Sequence, residues 1–136
     1  MATLIDSSVI IEAQRGRLDL ADVASRGGDQ VLAISSIAAS ELLVGLHLMR
    51  DGGKMARAEA FVEAVLADLP LVPFDLLCAR AHAAVSAELR RKGTMVGAHD
   101  LLIAATAIAR GYTAATCDER SFPRIPGVQV EFFSTK

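Results

Sequence analysis

Short apolar runs of strand length alternate along the chain with longer stretches in which apolar residues return at helical spacing. The strand-like runs fall at residues 2–5, 31–34, 71–74 and 112–116, and a last one at 128–133 alternates as an edge strand does. Between the first two, Val9, Ile10 and Ile11 form an apolar turn that predicts a short helix, and Arg26, Gly27, Gly28 and Asp29 read as a turn. Ser35 or Ser36 is placed to cap a helix over residues 37–49. Asp51, Gly52 and Gly53 read as its end. Met55, Ala58, Phe61, Val62, Val65, Leu66 and Leu69 then mark an amphipathic helix over 54–69, closed by Pro70. Asp75 is a cap for a long helix over 76–92, and Phe122 to Gly127 reads as a rigid turn.

The stretch GAHDLLIAATAIARGYTAATCD organises the rest. Its helix leaves almost no polar face from Leu101 to Ala109, so it belongs in a core. A Gly stop, a buried strand and a second acid follow. Strands alternating with helices predict an α/β fold of three layers, α/β/α, with a central, mainly parallel sheet covered on both faces.

Composition narrows this picture. A chain of 136 residues suits one domain over 1–136 with one core, and 52% hydrophobic against 4% aromatic residues makes that core mostly Ala, Leu, Val and Ile. The net charge of −2 gives no bulk reason to bind nucleic acid, so such a partner must be held locally. No apolar run reaches membrane-spanning length and MATLIDSSVI lacks signal-peptide character, so a cytoplasmic protein with no membrane partner is expected. Cys78 and Cys117 lack CxxC spacing, which argues against structural zinc or a disulfide framework.

The acids carry the chemistry. Glu88 has Arg91 and Lys92 at helical spacing and reads as a paired surface residue. Glu41 and Asp100 have no such partner. Asp6 and Asp118 follow strands, at the carboxyl ends where open α/β sheets bind ligands. Carboxylates gathered in one crevice raise each other's pKa unless a cation sits among them, and all-oxygen ligation favours Mg²⁺ or Mn²⁺ over zinc. Such a centre suits hydrolysis of a phosphodiester. Spacing alone leaves other readings open: Asp6 as a helix cap, Asp118 as a turn residue, and a chance subset of sixteen acids.

Asp6 in LIDSSVII, Glu41 in SELLVGL, Asp100 in HDLLIAATA and Asp118 in TCD resemble, in order, the four acidic blocks of PIN-domain nucleases. The short length and the ELLVGL and DLLIAATA blocks are similar to the VapC toxins of bacterial toxin–antitoxin pairs. The resemblance covers nearly the whole chain. It implies a metal-dependent endoribonuclease using Mg²⁺ or Mn²⁺, frequent homodimers, and a small VapB-like antitoxin that blocks the site. Carried over, Asp6, Glu41 and Asp100 are the main metal ligands and catalytic residues, Asp118 completes the set directly or through water, and Thr116 and Ser8 support it.

The last block departs from the family pattern, because Glu119, Arg120 and Ser121 stand where many members place a further acid or amide. Whether Asp118 acts alone or with Glu119, and whether one metal or two is held, stays open. Arg120 and Arg124 follow closely enough to contact a phosphate backbone. His99, His47, His82 and Cys117 read as structural residues outside the site. The sequence holds no GxxxxGK[ST] loop, strand-linked GxGxxG or G-x-S-x-G elbow. Ser8 stands where an aspartate-based phosphatase would usually carry a second acid. A catalytically inactive module that binds RNA or protein is the remaining alternative, and retention of all four acids argues against it.

Overall fold

β1 (Ala2–Ile5) lies at the centre of a five-stranded sheet, flanked in parallel by β2 (Val31–Ser35) and β4 (Thr113–Thr116). β3 (Leu71–Val72) extends one side and β5 (Gln129–Phe132) the other, giving the all-parallel order β3-β2-β1-β4-β5. This is a computed structural model, which describes residues 2–26 and 31–135. The turn expected at Gly27, Gly28 and Asp29 lies outside the described residues.

Parallel neighbours need crossovers, and the sequence supplies helices for them. α1 (Ser7–Gln14) and α2 (Leu20–Arg26) precede β2, α3 (Ser36–Leu48) and α4 (Gly52–Asp68) precede β3, and α5 (Leu76–Lys92) and α6 (Ala98–Arg110) precede β4. Crossovers in both directions from β1 cover both faces of the sheet, producing three layers. Chain order runs outward from β1 to β3 and then restarts at β4 on the other side. The carboxyl ends of β1 and β4 therefore flank a topological switch point.

The core sits where α6 meets the middle strands. Ala104, Ala105 and Ala107 of α6 and Ala114 and Ala115 of β4 are fully buried, so small side chains let the helix lie close on the sheet. Leu4, Ile5, Ile34, Ile103 and Phe122 fill the space around them, each stabilising by about 1.5–3 kcal/mol through burial. Gly111 stops α6 in the left-handed conformation at φ 69°, turning the chain directly into β4.

Three expectations shift. Asp51 does not close α3 but caps α4, accepting from the amide of Lys54, so Gly52 and Gly53 begin the helix. The third strand ends at Val72, because Pro73 has no N–H to extend it and the amide of Phe74 turns to Ser36 Oγ. α2 was not expected, since only Val23 of its residues is buried and no helical stripe marks it.

Candidate active site

Ile5 lies level with Ala115 across the β1–β4 pair, so both strands end at the same height. The amide of Asp6 donates to the Ala115 carbonyl at 2.8 Å, fixing Asp6 at the opening between them. Its carboxylate is fully engaged. Oδ1 accepts from the Ser7 amide at 2.9 Å and caps α1, while Oδ2 accepts from Ser8 Oγ at 2.8 Å and Thr116 Oγ1 at 2.9 Å. Burial pushes the Asp6 pKa up, the Ser8, Thr116 and Ser7 bonds restrain the rise, and the nearby Glu41 charge adds to it. Capping and membership of the acidic site are thus compatible.

Glu41 reaches the same region from the second turn of α3. Ser7 Oγ donates to its Oε1 at 3.1 Å, and His99 Nδ1 lies 3.1 Å from its Oε2. The acid that has no partner on its own helix has one on α6. Asp100, in the first turn of α6, is bonded by the Ser121 side chain. Its pKa is raised to about 6, first by burial and then by the charges of Asp6, Asp118 and Glu41, against the Ser121 bond. Asp6, Asp118 and Glu41 thus all lie near enough to Asp100 for their charges to act on it. Asp118 completes the rim: its amide donates to Thr116 Oγ1 at 3.0 Å and its Oδ1 accepts from the Arg120 amide at 2.8 Å.

Thr116 and Ser8 stand behind these acids as hydroxyl supports. Thr116 is fully buried and links Asp6 to Asp118, and Ser8 Oγ also accepts from the Cys117 amide at 3.0 Å. The Cys117 thiol is pushed up in pKa by burial, with Glu12 and Asp6 adding to it against the Ser8 bond. Ser7, His99 and Ser121 were not among the expected site residues. His99 was set aside because sequence shows only its neighbour Asp100, whereas its partner Glu41 is 58 positions away. Ser121 lies 21 positions beyond Asp100, past β4, where no helical spacing links the two.

Four carboxylates backed by hydroxyls, two of them with raised pKa, form the donor chemistry of a hard divalent cation. Among the described residues, no three His, Cys, Asp or Glu side chains are already arranged to hold a metal ion. Each acid has its own partner: Asp6 the Ser7 amide and two hydroxyls, Glu41 Ser7 and His99, Asp100 Ser121, and Asp118 a backbone amide.

A family model described as PIN domain matches residues 3–128. The chain belongs to the PIN-domain family. Within it the chain is of the VapC type: Ribonuclease VapC1 of Rickettsia felis is 33% identical over 136 residues, which cover 100% of this chain and 99% of that protein. The crystal structure of VapBC2 from Rickettsia felis, bound to a DNA fragment from their promoter, superposes on this PIN domain with a TM-score of 0.87 at 27% identity, covering 98% of this chain and 99% of that one. VapBC-5 from Mycobacterium tuberculosis, a member of the VapBC family of toxin-antitoxin systems, gives a TM-score of 0.76 at 28% identity, with 98% of each chain covered. The three-layer PIN fold expected from the sequence is the one observed. Among the described residues, no helix is long and apolar enough to cross a membrane.

Proposed function

We propose that this PIN domain is an endoribonuclease, the toxin of a toxin–antitoxin pair, working through Mg²⁺ or Mn²⁺ held by Asp6, Glu41, Asp100 and Asp118. What supports the site is geometry: Asp6 stands at the opening between β1 and β4, Ser7 beside it bonds Glu41, Thr116 links Asp6 to the Asp118 amide, and Asp100 lies within reach of all three charges. The ribonuclease and toxin–antitoxin roles rest on the VapC and VapBC relatives.

A cation bound there would lower the pKa of a water and offset charge building on the phosphodiester. The chain's own residues set up that step. Asp6, Glu41 and Asp100 supply the main oxygen ligands, and Asp118 supplies a further ligand or orients the water. Thr116 and Ser8 hold Asp6 in place, while His99 and Ser7 hold Glu41. In-line attack of water on phosphorus breaks the bond to the 3′-oxygen, which leaves with a proton, so the products are a 5′-phosphate and a 3′-hydroxyl.

A VapB-like antitoxin is the partner that would cover the acids, a homodimer is the working form, and the cytoplasm is where RNA and antitoxin are both met. The test is cleavage of total cellular RNA by partner-free protein with Mg²⁺, with Mn²⁺ or with EDTA. Discrete fragments that require the metal support the reading. Intact RNA under every condition would leave a binding module.

A further inference from the structure

A second cleft of about 560 Å³ opens beside the acids, walled by Met95 and Gly97 ahead of α6 and by Glu119, Arg120, Ser121 and Arg124 after Asp118. Two residues join it to the acidic crevice. Ser121 bonds the Asp100 carboxylate, and Gly97 lies so near that a Cβ there would stand 3.0 Å from Asp100 Oδ2 and 3.7 Å from Ser121 Oγ. For a strand whose scissile phosphate sits at the acids this cleft is one path away from them, and the cleft lined by Ser8, Arg15 and Asp118 is the other.

Among the described residues, the cleft carries two arginines that no carboxylate pairs. Arg120 is placed at the rim because its amide is held by Asp118 at 2.8 Å, and Arg124 Nη1 donates to the Met95 carbonyl at 3.4 Å. Among the described residues, neither guanidinium forms an ion pair with a carboxylate, although four acids lie alongside. On the opposite flank of Asp118, by contrast, Arg15 is paired with Glu12 at 3.5 Å. Free guanidinium groups at the edge of an anionic site suit a polyanion, whose phosphates they grip bidentately. Met95 is 83% exposed at the same cleft, a flexible, polarizable side chain held out to solvent.

We propose that this cleft carries the RNA strand on one side of the cut, with Arg120 and Arg124 on its phosphates and Met95 against a neighbouring base. The assignment rests on the ribonuclease reading and adds to it the direction in which substrate leaves the acids. Neither arginine touches the reacting atoms, so both act on substrate binding.

The test compares wild type with R120E/R124E, R120K/R124K and, as a charge-matched control on exposed positions elsewhere, R57E/R80E. The readout is the first fragment that wild type produces from labelled total cellular RNA, followed over a salt series with Mn²⁺. For R120E/R124E the expected result is a KM raised about tenfold with kcat little changed, and Mn²⁺ binding by calorimetry as in wild type. Loss of two phosphate contacts to a single strand flattens the log–log salt dependence of kcat/KM by about 1.4. The lysine pair keeps most of that slope, and the control keeps all of it. Wild-type KM and salt slope in R120E/R124E, with cleavage intact, would overturn the cleft assignment and leave the nuclease standing. A wild-type protein that cuts no RNA would remove both.

Discussion

His99 Nδ1 lies 3.1 Å from Glu41 Oε2, tying the first turn of α6 to the second turn of α3 directly over the acidic crevice. Partners of this kind fix where a ligand carboxylate points, and losing one typically costs about 10–100-fold in metal affinity or activity. His99→Ala is expected to lower kcat/KM by about tenfold. His99→Asn places a donor near the position of Nδ1 and is expected to stay within about threefold of wild type. The His99 side chain is 62% exposed, so thermal melting should barely change in either variant. Equal kinetics for the alanine variant and wild type would show that Glu41 needs no such support.

Thr116 is the buried hinge of the site. Its hydroxyl donates to Asp6 and accepts from the Asp118 amide, so Thr116→Val removes one bond and orphans a partly buried N–H. The expected cost is about 1–3 kcal/mol in urea denaturation, with the fold retained because valine fills the same volume. Thr116→Ser keeps the hydroxyl and should lie nearer wild type. Since the Thr116 bond holds the Asp6 pKa down, the valine variant should also lose Mn²⁺ affinity sooner than wild type as pH falls.

The raised pKa of Asp100 sets a pH dependence with a definite sign. Its folded value of about 6 exceeds the ordinary 3.8, so the metal-free folded state binds this proton more tightly than the unfolded state does. That contribution to stability is fully present below about pH 4 and is lost as pH rises through about 6. Asp6 acts in the same direction. Asp100→Asn should flatten the loss in metal-free denaturation series. Mn²⁺ affinity should run the opposite way, falling towards tenfold per pH unit below about pH 6 as the cation competes with the proton. A flat Mn²⁺ affinity from pH 5 to 7 would contradict this.

Gly97 is the N-cap of α6 at φ −59° and ψ 137°, a conformation alanine adopts freely. What alanine lacks there is room, because its Cβ would meet Asp100 Oδ2 at 3.0 Å and the carboxylate must shift by a few tenths of an ångström. Gly97→Ala is expected to cost no more than about 1 kcal/mol of stability. Its kcat should still fall by about tenfold, since small displacements of a positioned group are costly to catalysis.

The legible part of this fold was carried by local signals. Asp75 and Ser35 cap their helices where expected, Gly111 stops α6, and the apolar runs at 2–5 and 112–116 pair at the centre of the sheet. Asp6 and Asp118 emerge at the same edge of the sheet because both follow parallel strands, as strand–helix alternation foretells; that those two strands are neighbours is seen only in the structure. Contacts between distant segments were hidden: Ser7 and His99 on Glu41, and Ser121 on Asp100, are set by how α1, α3 and α6 pack. The Asp-Gly-Gly run at residues 51–53 looked like a stop because Asp serves turns and helix starts alike, and only the Lys54 amide distinguishes them. α2 shows a single buried residue and so no periodic signal.

The most direct test of the four-acid centre is a series of near-isosteric variants, Asp6→Asn, Glu41→Gln, Asp100→Asn and Asp118→Asn, assayed for Mn²⁺ binding by calorimetry and for RNA cleavage. Each variant that melts as a folded protein is expected to bind Mn²⁺ more weakly. Asp6, Glu41 and Asp100 variants should cut RNA about a hundredfold more slowly or less, the effect of losing about 3 kcal/mol of transition-state stabilisation. Wild-type Mn²⁺ affinity and wild-type cleavage in folded Asp6→Asn and Asp100→Asn would contradict the assignment and place the nuclease centre elsewhere on the molecule.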